Sequence, residues 1–179
     1  TINKPIKTIS EVYNRIRSTP GNILFAGGQV FVGTLVLKNI QLTDPVMIVI
    51  GSYGKGRPVI NGGNNEAISI ESCNNIRIDS LTIMGSGRKD GNTTNGLQLI
   101  NSSNCVVDDI YAEGFQKSGV DLYNCRNVDL LNVKAYGNGF CGINIMGSHQ
   151  DSSGNILIRD CQAENNAGDP TMLDNHSGN

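Results

Sequence analysis

The chain is 179 residues long, carries a formal net charge of −2 and contains no tryptophan. A chain of this length can bury a core within one domain, so no second globular domain is required. No run of lysine or arginine is longer than Arg88-Lys89, which argues against a nucleic-acid partner. No apolar stretch approaches the roughly 18 residues of a membrane span, so we expect no membrane segment.

The first predicted element is a short amphipathic helix near residues 9–17. The segment Thr8-Ile9-Ser10-Glu11 matches a capping box, which is typical of a helix N-terminus. Apolar residues share one face of this helix: Ile9, Val12, Tyr13 and Ile16. Such a helix suits a cover over an exposed apolar layer, so we assign residues 1–20 to an N-terminal cap.

Short strands are predicted after the cap, near residues 23–25, 30–37 and 46–50. Residues 51–58 are rich in glycine and end in proline, which predicts a loop. The strand pattern then resumes at Val59-Ile60.

An internal repeat follows. Gly96, Gly119 and Gly142 are 23 residues apart, and each precedes an apolar-x-apolar triplet; an earlier copy begins at Ile68. After each triplet come a polar turn, an asparagine with alternating apolar residues, and a third short strand. A unit of this size cannot bury its own apolar face, whereas stacked coils can. The sequence therefore predicts an all-β fold, a parallel β-helix of three-stranded coils over 21–179, in one domain of 1–179.

This register makes specific predictions about burial. Five residues are expected to share the core: Val120, Leu122, Val128, Leu130 and Val133. Asp121 and Asp129 are expected to be exposed. The recurring asparagines are expected to stack as a ladder that stabilises turns: Asn75, Asn104, Asn127 and Asn155. The five cysteines include no C-x-x-C pair, so we expect free core thiols and no zinc site.

The segments 22–37 and 45–54, with the Gly-apolar-x-apolar coils, resemble the N-terminal half of bacterial secreted right-handed β-helix proteins of the pectate-lyase-like superfamily. The resemblance covers almost the whole chain. It implies a right-handed coil, a polysaccharide or oligosaccharide partner, and a secreted, periplasmic or cell-surface location. Because Asn179 precedes the expected position of another coil-opening glycine, the C-terminal end of the solenoid is expected to be missing.

The resemblance also implies that substrate lies in a groove along the triplet strands, walled by the inserted loops 85–95, 147–154 and 166–179. The outward column of these strands is Ser69, Gln98, Asp121 and Asn144. The candidate catalytic residues are Lys117, Asp121, Tyr123, His149 and His176. The candidate sugar-binding residues are Arg88, Gln98, Asn144, Asp151 and Asp174.

Several reactions stay open. Hydrolysis needs two carboxyls, but Asp121 is flanked by Gln98 and Asn144, which disfavours it unless Asp151 or Asp174 supplies the second group. The first hypothesis is therefore a lyase-like or epimerase-like reaction on an acidic glycan, with a hydrolase or a non-catalytic glycan-binding or structural solenoid as alternatives. The Asp-Pro-His-Glu signature of mannuronan epimerases and the multi-Asp calcium cluster of pectate lyases are absent. No cofactor is expected, and calcium is left open.

Overall fold

The computed structural model describes residue 6, residues 8–148 and residues 153–167. Within these residues the chain forms one helix followed by short strands. In chain order the elements are α1 (Ser10–Ser18), β1 (Ile23–Ala26), β2 (Val30–Val32), β3 (Leu35–Lys38), β4 (Ile48–Tyr53), β5 (Val59–Gly63), β6 (Ile68–Glu71), β7 (Ile76–Gly85), β8 (Leu97–Ile100), β9 (Ser103–Glu113), β10 (Ser118–Tyr123), β11 (Arg126–Leu131), β12 (Lys134–Tyr136), β13 (Cys141–Met146), β14 (Gly154–Arg159) and β15 (Gln162–Glu164).

The strands pair in parallel in two sheets. The narrow sheet has five strands in the order β13-β10-β8-β6-β3, and the wide sheet has ten, with β1-β4-β7-β9-β11-β14 as its main path. Neighbours in the narrow sheet are never consecutive in the chain, because the chain passes through the wide sheet before it returns. The chain therefore winds as stacked coils, and each coil contributes strands to both sheets.

The core consists of stacked inward columns from both sheets. Val120 pairs with Leu97 on one side and with Ile143 on the other, and Leu122 lies two residues further along in the same register. The five predicted core residues are all 0% exposed, which confirms their burial: Val120, Leu122, Val128, Leu130 and Val133. Burial of such columns supplies the main stabilising free energy of the fold.

The two aspartates beside these core residues are half-buried, so the prediction that they are exposed is wrong. Asp121 has Gln98 and Asn144 as its partners in the adjacent strands. Asp129 lies in the same way between Val106 and Leu157. In a stacked coil each outward side chain is flanked by the next one about 4.8 Å away, which removes part of its surface from water.

Burial decreases in the last described coil. Ile158 is aligned with the buried Leu130 on β11, but it is 50% exposed, and Ile156 is partly buried. Both belong to β14, which is the terminal strand on the main path of the wide sheet. Within the described residues no further strand covers these side chains.

The predicted asparagine ladder is present from Asn104 to Asn155, whereas Asn75 Nδ2 donates to Asp44 Oδ1 at 2.7 Å. Asn75, Asn104, Asn127 and Asn155 have φ values of 56°, 52°, 53° and 53°. This left-handed backbone is uncommon for residues other than glycine but is favoured for asparagine. The Asn127 amide donates to Asn104 Oδ1 at 2.9 Å, and the Asn155 amide donates to Asn127 Oδ1 at 2.7 Å. These stacked amides connect consecutive coils.

The N-terminal helix was predicted correctly, but its cap was not. Ile9, Val12 and Ile16 are buried, and α1 packs against β3. The N-cap is Ile9, which is already helical at φ −60° and ψ −36° and makes no side-chain capping bond. Because helical geometry begins at Ile9, the Thr8 hydroxyl accepts from the Ser10 hydroxyl at 3.2 Å instead of capping the helix. The predicted loop is also shorter than 51–58, since β4 continues to Tyr53.

All five cysteines are free, as predicted. Cys73, Cys105 and Cys125 are buried, and Cys141 and Cys161 are partly buried. Burial raises the pKa of the Cys105 thiol to about 12. These residues therefore serve as small core side chains.

Candidate functional site

The outer face of the narrow sheet carries a column of polar side chains, one from each successive coil. Ser69, Gln98, Asp121 and Asn144 are strand-to-strand partners along β6, β8, β10 and β13, as the repeat predicted. Ser69 is buried, and the other three are partly buried. We call these four residues the polar column.

Hydrogen bonds divide the polar column into two pairs. Gln98 Nε2 donates to Ser69 Oγ at 2.9 Å. Asn144 Nδ2 donates to Asp121 Oδ1 at 2.6 Å. Among the described residues, no hydrogen bond joins Gln98 to Asp121. Sequence reasoning predicted the alignment of the column but not the direction of these bonds.

Asp121 has an unusual electrostatic environment for a surface carboxyl. Burial among its neighbours raises the pKa of Asp121, because the charged form loses hydration. The hydrogen bond from Asn144 and the positive charge of Lys117 oppose this shift without cancelling it. A carboxyl of this kind keeps its proton to a higher pH than an ordinary aspartate, which suits proton transfer.

A second column lies two residues further along the same strands. At one end, Lys38 Nζ contacts a Glu71 carboxylate oxygen at 2.5 Å, and this pairing raises the pKa of Lys38. The column continues through Ile100, Tyr123 and Met146, which we call the apolar stripe. A polar column beside an apolar stripe matches a sugar ring, which has hydroxyls at its edge and C–H groups on its faces.

Lys117 is exposed in the turn that enters β10. Its backbone N–H donates to the Thr94 carbonyl at 3.1 Å, and its own carbonyl accepts from the Phe140 N–H at 3.0 Å. These bonds fix the turn against the coils on either side. They hold the Lys117 backbone at the border of the narrow sheet, close enough for its charge to act on Asp121.

Arg88 lies in the inserted loop that follows β7. Its guanidinium donates from Nη1 to the carbonyls of Asn138, at 3.0 Å, and Asn165, at 2.8 Å. The loop therefore contacts the turns that follow β12 and β15. Sugar binding by Arg88 stays a prediction, and its observed contacts are with the main chain.

Sequence reasoning missed a second group of asparagines, which are buried at these turns. Asn138 Nδ2 donates to the Ala112 carbonyl at 3.2 Å, and Asn166 Nδ2 donates to the Ala135 carbonyl at 3.2 Å. Each of these asparagines comes two residues after the end of a third strand, at Tyr136 or Glu164. That repeated position was the available signal.

Four of the candidate residues lie outside the described part of the chain: His149, Asp151, Asp174 and His176. Their roles stay predictions. Within residues 8–148 and 153–167, no group of three or more His, Cys, Asp or Glu side chains is arranged to hold a metal ion. The same residues include no helix that is long and apolar enough to cross a membrane.

Comparisons with known proteins define the family. Residues 52–179 match the family described as right-handed β-helix region. The chain therefore belongs to the right-handed β-helix family. No curated protein matches the sequence.

Two solved structures share this fold. A GH136 lacto-N-biosidase from Eubacterium ramulus has a TM-score of 0.67 and 16% identity over 90% of this chain and 38% of that one. ORF18 of Geobacillus virus E2 has a TM-score of 0.62 and 14% identity over 95% of this chain and 41% of that one. The chain thus spans about two fifths of the length of each structure. At these identities the likeness shows the fold alone.

Proposed function

We propose that this protein acts on glycans and that its substrate lies along the polar column and the apolar stripe of the narrow sheet. The observation that carries the proposal is Asp121, a half-buried carboxyl with a raised pKa among neutral hydrogen-bonding side chains. The similarity to a lacto-N-biosidase supports a carbohydrate-active role. A pectate-lyase-like ancestry and a secreted, periplasmic or cell-surface location form part of this proposal.

Hydrolysis is the reaction that Asp121 supports best. A carboxyl with a raised pKa keeps its proton over a wider pH range than an ordinary aspartate, so it can give a proton to the departing glycosidic oxygen as a general acid. A second carboxylate must lie about 5 to 5.5 Å away for retention, or about 6.5 to 9.5 Å away for inversion. Asp151 and Asp174 are the candidates from the sequence. The raised pKa of Asp121 is the reason to prefer hydrolysis, which the sequence alone disfavoured.

Elimination or epimerisation of an acidic glycan is the second candidate, and Lys117 is the observation that favours it. Such a reaction needs a cation to neutralise the sugar carboxylate, a base and an acid. Lys38 is already paired with Glu71, whereas the charge of Lys117 acts on Asp121. Tyr123, His149 and His176 would then be the proton-transfer candidates.

The products distinguish the two reactions. We would incubate the protein with neutral oligosaccharides and with uronic-acid polymers, and measure new reducing ends and the ultraviolet absorbance of unsaturated sugars. Hydrolysis gives reducing ends alone, whereas elimination gives both signals. The same assay with a calcium chelator tests whether the reaction depends on calcium, which the sequence leaves open.

The role of Asp121 is tested by Asp121→Asn, which keeps the shape of the side chain but removes its titrating proton. Turnover should fall by roughly 10²-fold or more, the usual scale for loss of an acid or base. The matched control is Asp129→Asn, a half-buried aspartate on the wide sheet of the same coil. Turnover that is equal in both variants would place the chemistry away from the polar column.

The two histidines are tested separately. His149→Ala and His176→Ala should each lower turnover by roughly 10²-fold if the residue transfers a proton. Thermal unfolding should change little, since neither residue belongs to the repeating core pattern. A double variant with full activity would remove both histidines from the site.

A further inference from the structure

The polar column has a break between Gln98 and Asp121. These residues are direct partners on β8 and β10, so their side chains are neighbours on the outer face. They nevertheless form hydrogen bonds with residues on the sides that face away from each other: Gln98 bonds to Ser69, and Asp121 bonds to Asn144. We call the position between these two side chains, which no hydrogen bond between described residues bridges, the column gap.

Counting donors and acceptors shows what lines the column gap. The Gln98 amide nitrogen is used by Ser69, which leaves its Oε1 as an acceptor. Asp121 Oδ1 is used by Asn144, which leaves Oδ2 as an acceptor when the carboxyl is ionised. Among the described residues neither Oε1 nor Oδ2 receives a hydrogen bond from the protein. Both atoms can therefore accept hydrogen bonds from outside the protein, so a ligand that supplies donors can replace water there.

The neighbouring apolar stripe continues the same two strands. Ile100 and Tyr123 are partners on β8 and β10, two residues after Gln98 and Asp121. A sugar ring with a hydroxyl in the column gap would lie with one face over Ile100 and Tyr123. Two adjacent coils therefore offer polar atoms for the hydroxyls of the ring and apolar side chains for its C–H face.

We propose that the column gap is a subsite that recognises a sugar hydroxyl, and that the groove therefore takes an uncharged glycan in preference to a uronic-acid glycan. The inference rests on the proposed function, because it assumes that glycans bind to this face. A hydroxyl donates to Gln98 Oε1 or to Asp121 Oδ2. A sugar carboxylate would instead add acceptors and negative charge beside a carboxyl and an amide oxygen.

The test compares matched neutral and acidic ligands. A glycan array carrying neutral oligosaccharides and uronic-acid oligosaccharides would include β-1,4-mannotetraose and β-1,4-tetramannuronate, which share a linkage and differ by oxidation at C6. Affinities of the best ligands would then be measured by calorimetry. The neutral ligand should bind at least about tenfold more tightly, the scale of one or two hydrogen bonds.

Variants of Gln98 examine the gap itself. Gln98→Leu removes the acceptor at similar size and should weaken the neutral ligand about tenfold. Gln98→Lys places donors and a positive charge in the gap and should shift the preference towards tetramannuronate. The matched control is Gln162→Leu on the wide sheet, which should leave both affinities unchanged. Circular dichroism and thermal unfolding of each variant establish that it folds.

Each failure has a separate meaning. Wild-type protein that binds uronic-acid ligands as tightly as neutral ones would overturn the subsite and leave the proposed glycan groove standing. If Gln98→Leu does not weaken binding of the neutral ligand, the subsite is likewise overturned and the proposed glycan groove still stands. Absence of binding to every glycan on the array would overturn the proposed function, and the subsite with it.

Discussion

Asp108 on the wide sheet and Asp121 on the narrow sheet are both partly buried aspartates on outer faces of the same solenoid. Asp108 accepts from Asn132 Nδ2 at 3.0 Å and from Arg77 Nη2 at 2.7 Å, and both bonds lower its pKa. Asp121 accepts from Asn144 and forms no ion pair with any described residue, and burial raises its pKa. The two carboxyls differ in two ways: burial dominates the shift of the pKa of Asp121, whereas hydrogen bonds from Asn132 and from the Arg77 cation dominate that of Asp108.

This contrast extends across the two faces. The wide sheet also pairs Arg77 with Asp79 at 3.0 Å and Arg57 with Asp109 at 2.6 Å. These charges of the wide sheet are therefore compensated, as expected for groups that stabilise stacked coils. The polar column is instead neutral except for Asp121. A carboxyl without a bonded cation contributes little to stability, which is the pattern expected at a functional site.

The largest expected effect tests whether the two faces share one core. Leu122 lies under the narrow sheet and Leu130 under the wide sheet, and both are 0% exposed. Leu122→Ala and Leu130→Ala should each lower the free energy of unfolding by about 2 to 5 kcal/mol, because each leaves a cavity. Urea unfolding measures both values.

The matched control for these variants is Ile158→Ala, since Ile158 is 50% exposed in the last described coil. It should cost about 1 kcal/mol or less. A small loss for Leu122→Ala beside a large loss for Leu130→Ala would show that the two sheets do not pack on a common core.

An intermediate effect is expected at the ladder that connects coils between the two faces. Asn127 has φ 53° and bonds to Asn104 and Asn155. Asn127→Ala should cost about 2 kcal/mol, since it loses these bonds and strains a left-handed residue. Asn127→Gly tolerates this φ and should cost about half as much.

Urea unfolding of the two ladder variants separates backbone strain from the loss of amide bonds. Equal losses for alanine and glycine would mean that the ladder bonds, and not the backbone, determine the choice of asparagine. A loss of stability for Asn127→Ala alone would mean that the left-handed backbone, and not the ladder bonds, determines the choice of asparagine.

The fold was readable from the sequence because its signal repeats. Gly96, Gly119 and Gly142 set the coil length, and alternating apolar residues set the inward columns. The helix was predicted from one apolar face, whereas its cap depends on the backbone angles of Ile9, which no residue pattern specifies. The repeat therefore predicts the coil length and the inward columns, which recur in successive coils, but not the helix cap, which occurs once among the described residues.

The site was only partly readable. The alignment of Gln98, Asp121 and Asn144 follows from the repeat. The half-burial of Asp121 and the column gap depend on side-chain orientations, which differ from coil to coil. The Arg88 contacts join residues 50 and 77 positions apart through a loop whose path has no periodic signal.

The smallest effect is the sharpest test of the comparison, because the two aspartates should respond with opposite signs. At neutral pH, Asp108→Asn should destabilise the protein by about 1 kcal/mol, since it removes the charge that bonds Arg77. Asp121→Asn should leave stability unchanged or raise it by less than about 1 kcal/mol, since it removes a charge that burial disfavours. Urea unfolding of both variants at pH about 7 gives the two signs.

The dependence of these stability changes on pH then shows whether the ionised carboxylates cause them. The folded-state pKa of Asp108 is lowered, so its stabilisation is present above the unfolded-state pKa near 3.8 and is lost as the pH falls through the lower folded value. The folded-state pKa of Asp121 is raised, so its penalty grows as the pH rises from about 3.8 through the folded value. At pH about 4 any gain from Asp121→Asn should fall to roughly half of its value at pH 7 or less, while most of the loss from Asp108→Asn persists. Destabilisation by both variants at pH 7, with the same pH dependence, would mean that Asp121 is a compensated structural charge like Asp108. That result would contradict the assignment of the narrow sheet as the functional face.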